Sequence, residues 1–153
     1  MRDRRQDRGQ SLLEFAMVLP LLLLLAVGTI EFGRAYYHYN TLSKAVRQAA
    51  RYITSHEYSA QEQTRAKRMA IYGNADGTGS PILPGLTVSN ISITPRGGGG
   101  TTNTNPPEWV KVSVTGYTFQ TMFRGIVPLS ASLTPGVEML FMGENAKYEY
   151  PTP

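Results

Sequence analysis

Between Leu12 and Ile30 the chain carries one charge, Glu14, and from Phe15 to Ile30 it carries none. A membrane-spanning helix needs about 20 predominantly apolar residues, with a working range of roughly 17–25. This run meets that length and reads as a spanning helix. The carboxylate near its start is costly to place in lipid, and charged groups in such positions usually have a task. Glu14 follows the only glycine among the first 27 residues, Gly9, by five positions. Ahead of the run, Arg2, Arg4, Arg5 and Arg8 face only Asp3 and Asp7, a balance of +2 in nine residues. A basic head favours an N-terminus in the cytoplasm with the remaining chain outside.

Three readings fit such a segment. A cleaved secretory signal would use the basic head, the apolar middle and the small-x-small triplet Ala26-Val27-Gly28. A plain uncleaved anchor needs nothing from Gly9 or Glu14. A permanent helix, trimmed on its cytoplasmic side after Gly9, uses both. Three features favour the last. A signal core seldom holds a glutamate. The helical pattern runs on past residue 28: Phe32, Ala35, Tyr39, Leu42, Val46, Ala49 and Ile53 recur at alternating steps of three and four, an apolar seam of period 3.5. Pro20 sits mid-span, where a membrane helix tolerates it. From about residue 11 to 54 such a helix would be roughly 65 Å long at 1.5 Å per residue. Its outer half packs on its own domain, on neighbouring subunits, or on each along different stretches.

Composition narrows the function. The chain has 153 residues and no cysteine, which excludes disulfides, thiolate metal sites and a cysteine nucleophile. Beyond residue 9 there are eleven Lys/Arg and nine Asp/Glu, so no broad basic face is implied and nucleic acid is not an expected partner.

The stretch "RGQSLLEFAMVLPLLLLLAVGTIEFGRAYYHYNTLSKAVRQAARY", residues 8 to 52, resembles the N-terminal region of TadE-like proteins, pseudopilins of the Tad (Flp-type) pilus system. The resemblance rests on the Gly-x4-Glu-Phe processing motif, the proline within the leucines, "EFGRAYY" at the membrane exit, and Ala49 to Tyr52. It implies cleavage by a prepilin peptidase between Gly9 and Gln10, giving a leader (1–9), a transmembrane helix (10–31), a projecting helical region (32–73) and a sheet domain with a Gly-rich loop (74–153). Glu14, followed by Phe15, becomes the fifth residue of the mature chain and is the expected subunit-pairing group. Cleavage creates an α-amino group at Gln10, with an ordinary pKa of about 7.7–8. An amine and a carboxylate at the lipid edge can neutralise one another, which sets the stagger between helices. The alternative for Glu14 is that it snorkels to the interface or meets its own chain's amine one turn away.

Further along, "SAQE", Ser59 to Glu62, is a capping-box pattern opening a second helix that runs through Ala66, Met69 and Ala70 to Gly73. Its Arg65, Lys67 and Arg68 read as a solvated face. Residues 73–85 are turn chemistry. "LTVSNISIT" (86–94) and "EWVKVSVTGYTF" (108–119) alternate as half-buried strands, with Val110, Val112 and Val114 on one face. The loop "PRGGGGTTNTNPP" between them offers no phosphate cradle. "PLSASLT" and "VEMLFM" complete a three- to four-stranded antiparallel sheet broken at Pro135-Gly136, before a polar tail, "ENAKYEYPTP". The expected fold class is α+β.

Catalytic residues are scarce. His38 reads as a surface or packing residue and His56 as a residue at a helix break; Asp76 and seven glutamates from Glu31 on are scattered. No enzyme activity, metal or cofactor is expected. Tyr36, Tyr37 and Tyr39, after Phe32, suit a membrane–water boundary. The expected function is a pilin-like minor subunit or assembly initiator of a Tad-type pilus, since the chain adds about 100 residues to the short helix that makes up a major Flp pilin. Its partners would be the peptidase, other Tad pilins or pseudopilins, the assembly platform and the lipid bilayer, with association into homo- or hetero-oligomers. It would sit single-pass in the inner membrane, N-terminus cytoplasmic and C-terminal domain periplasmic or extracellular. A membrane-anchored envelope binding module that never polymerises is the alternative.

Overall fold

The structure, a computed structural model, describes residues 4–97, 102, 105–123 and 130–143, with side chains from residue 9 onward. Helix α1 (Arg4–Ser55) comes first and is continuous through Pro20. It is followed by α2 (Ala60–Tyr72), a short 3-10 turn (Val88–Asn90), and strands β1 (Ile91–Arg96), β2 (Trp109–Val114), β3 (Thr118–Gln120), β4 (Ser130–Ser132) and β5 (Gly136–Leu140). The chain divides into two units: Met1–Tyr36 with Gln120–Ser130, and Tyr37–Phe119 with Ala131–Pro153.

In the second unit the sheet order is β1-β2-β5, antiparallel throughout. The pleat sends Val110, Val112 and Val114 of the central strand to one face, and all three are fully buried. Ile91 stands opposite Val114, while Val112 stands between Ile93 and Val137. These residues join Leu42, Ala45, Val46, Ala49, Ala50 and Ile53 of α1, and Ala66, Ala70 and Ile71 of α2, in a single core. This is the expected α+β arrangement.

Local chemistry explains the element ends. Ser59 caps α2 by accepting a hydrogen bond from the Glu62 amide at 3.2 Å. Gly73 closes the helix at φ 74°, its amide donating to Met69 O; a side chain is disfavoured in that left-handed region. The reciprocal half of the capping box does not form. The Glu62 carboxylate instead accepts from Tyr52 OH (2.8 Å) and Arg65 (2.9 Å), while the Ser59 amide turns back to Glu57 O. Arg65 and Arg68 are exposed and Lys67 is half-buried. In the turn region, Asn74 Oδ1 accepts from the amides of Gly77 and Thr78.

Several expected boundaries move. The 86–94 run is strand only from Ile91. Asn90 Oδ1 accepts from the Thr87 amide at 2.9 Å, a local bond that coils the first half into the 3-10 turn. The 108–119 run splits into β2 and β3 at Gly116 (φ 68°), beside the Thr115 amide's bond to Asn90 O. Two small sheets result, β1-β2-β5 and β3-β4, rather than one of three or four strands. The apolar seam is buried only from Leu42 outward, where Ala45 and Ala50 widen it; Phe32 and Tyr39 are exposed. A helix against a broad core needs that wider stripe. Most of the Gly-rich loop and the tail from residue 144 lie outside the described residues.

Candidate functional site at the N-terminal helix

Residues 9 to 26 of α1 are exposed along their whole length. The helix is long and apolar enough to cross a membrane. Exposed leucine and valine at this density suit an apolar surrounding such as lipid. Thr29 needs no outside partner, because its hydroxyl donates to Leu25 O at 2.8 Å.

The four expected site residues, Gly9, Gln10, Glu14 and Phe15, lie within about two turns of this helix at 3.6 residues per turn. Gly9 and Gln10 lie within α1, and a Cβ at Gly9 would meet nothing within 4 Å, so no side chain packs over this position. The Gln10 side-chain amide donates to Glu14 Oε1 at 3.2 Å, the i,i+4 contact of one helical turn. Gln10 and Glu14 are thus brought together; Phe15 stands apart, 58% exposed. Glu14 is exposed, its carboxylate held by Gln10 of the same helix.

A second acidic position was not anticipated. Glu31, one residue past the apolar run, is only 1% exposed. Its Oε1 accepts from the backbone amides of Met122 (2.8 Å) and Phe123 (3.3 Å), and Arg34 Nη1 lies 3.0 Å from Oε2. The sequence held a faint signal in "IEFGR", a second Glu-Phe pair with a cation three residues on. The amides it serves lie 91 and 92 positions away, and no local pattern specifies them.

In the second unit His38 takes the packing role of its two expected alternatives. His38 Nδ1 lies 3.0 Å from Tyr117 OH, and its ring meets Phe119 edge-on at 5.1 Å. Tyr117 OH also donates to Pro84 O at 3.3 Å. Burial raises the Tyr117 phenol above its usual pKa, and does the same at Tyr58. His56, directly after α1, stacks on Tyr52 at 4.1 Å and hydrogen-bonds to Tyr52 O.

Residues 9–51 match the TadE-like protein family. No curated protein and no solved structure gives a match to the chain. The TadE-like segment contains Gly9, Gln10, Glu14, Phe15, Glu31 and the whole apolar run. The match covers this segment alone, whose apolar helix fits a single-pass membrane anchor.

Proposed function

We propose that this chain is a pilin-like subunit of a Tad-type pilus, cut by a prepilin peptidase between Gly9 and Gln10 and paired to neighbouring subunits through Glu14. The observation that carries the reading is an outward-facing carboxylate one helical turn from the bond to be cut, within the TadE-like segment. Cutting there removes the arginine-rich head and leaves a cationic amine at Gln10. The Gln10 side chain already reaches Glu14 within one helix, so an amine at the same residue lies close enough to compete for that acid. A neighbour's amine wins when assembly withdraws both charges from hydrocarbon together, since an isolated ion in lipid is costly.

The folded second unit supports a minor or initiating role: it gives the subunit a core of its own beyond the bare helix. The N-terminus lies on the cytoplasmic side and the second unit outside, following the basic head.

The test is the mature N-terminus of protein isolated alongside an active peptidase. Gln10 is expected; Thr29 would make the segment a signal peptide, and Met1 a plain anchor. Glu14→Ala is then expected to leave cleavage intact while abolishing co-purification with other pilus subunits. An anchored module that never polymerises would be indifferent to that change.

A further inference from the structure

Glu31 poses a question that the pairing of Glu14 does not answer: why a carboxylate at the far end of the apolar run is buried beneath the turn at Thr121–Phe123. The nineteen residues Leu12–Ile30 rise about 28 Å at 1.5 Å per residue, close to the roughly 30 Å of a hydrocarbon core. With Glu14 near one boundary, Glu31 falls at the other. The turn bonded to Glu31 shares that depth. Non-helical backbone is tolerated there only when its polar groups find partners inside the protein. Glu31 supplies them, accepting both the Met122 and Phe123 amides, and Arg34 balances its charge. Thr121 is buried, whereas the Met122 side chain remains 69% exposed. Residues 121–123 carry no charge, and Ile30, which precedes Glu31 in α1, is exposed as well, at the end of the apolar surface of the span.

We propose that the turn Thr121–Phe123 is a second membrane contact, in which Glu31 holds Met122 at the acyl–headgroup boundary opposite Glu14. Methionine suits this place, being unbranched, flexible and apolar. An apolar side chain fixed beside the outer end of the span sets how deep that end sits in the bilayer. The occupant of this surface is phospholipid, because the turn extends an apolar face already committed to it.

This rests on α1 spanning the bilayer, and the experiment separates the two claims. The chain lacks cysteine, so Met122→Cys in the full-length protein gives a unique site for a polarity-sensitive fluorophore. The labelled protein is placed in vesicles of phosphatidylethanolamine and phosphatidylglycerol. Strong quenching by a lipid nitroxide near the headgroup, with little by aqueous iodide, is expected. In the Glu31→Ala background iodide quenching should rise severalfold, while Glu31→Gln, which keeps an acceptor, should retain the shielding. A label at Leu22→Cys reports the span separately through a nitroxide deep in the acyl chains. If Leu22 is not quenched there, the spanning reading fails. If Leu22 is quenched but the label at 122 is open to iodide with native Glu31, the lipid contact is overturned. Shielding at 122 that disappears when the protein is diluted in lipid would also overturn it, and would assign the surface to a second copy.

Discussion

Two glutamates bracket the apolar run, and their surroundings differ in kind. Glu14 lies on an open helix face with a neutral amide for company, free to exchange that partner for a cation. Glu31 is enclosed by two backbone amides and a guanidinium. Truncating Glu31 to alanine leaves those amides without their acceptor, a loss of about 1–3 kcal/mol. Hydrogen exchange at Met122 and Phe123 is expected to accelerate accordingly, with little change at the amides of β2. Tyr117 offers a pH-dependent check. Burial holds its folded-state pKa above the unfolded value near 10, so the folded state keeps the phenol's proton to higher pH. Its contribution is whole below about pH 10 and is lost as pH rises through the folded value. Tyr117→Phe should therefore flatten part of the alkaline fall in melting temperature, while costing about 1 kcal/mol at neutral pH through the lost bond to Pro84 O. Of these residues, only Glu14 stands out in the sequence as a candidate site. Its meaning lies in a spacing from Gly9, whereas Glu31 and His38 acquire theirs from partners some 80 to 90 positions away.

At the scale of elements, the seam on α1 changes character along its length. Leu42 is fully buried in the core, while Phe32, on the same seam, is 72% exposed. Leu42→Ala is expected to cost about 2–5 kcal/mol, read as a lowered thermal midpoint of the second unit. Phe32→Ala should leave that midpoint nearly unchanged. Helix α2 gives a second comparison: Ser59→Ala removes its N-terminal cap and should cost about 1 kcal/mol by the same measurement. Both helices and the valine-bearing strand were readable from periodicity and caps, because those signals are local. The strand breaks were not. They depend on Asn90, whose side chain chooses the Thr87 amide and thereby shortens β1, and on the coupled turn at Gly116. Alternation alone extends a strand until something competes for its backbone, and that competitor becomes visible only when the chain is folded.

For the molecule as a whole, the division into two units has a direct test. The second unit buries its valines, leucines and alanines among its own residues. A chain beginning at Tyr37 should consequently retain a cooperative melt by near-ultraviolet circular dichroism and remain monodisperse without detergent. Loss of that transition would show that the lipid run takes part in the fold itself. The membrane helix has its own distinguishing mark in Pro20, which lies within an otherwise unbroken α1. Proline brings no N–H, so the carbonyl of Ala16 forgoes the donor that would stand four residues on. One rung is absent from the ladder halfway across the bilayer, and flexing at that depth breaks nothing further. A bending load on the span is therefore expected to be taken up as curvature at Pro20, where flexing costs no further hydrogen bond.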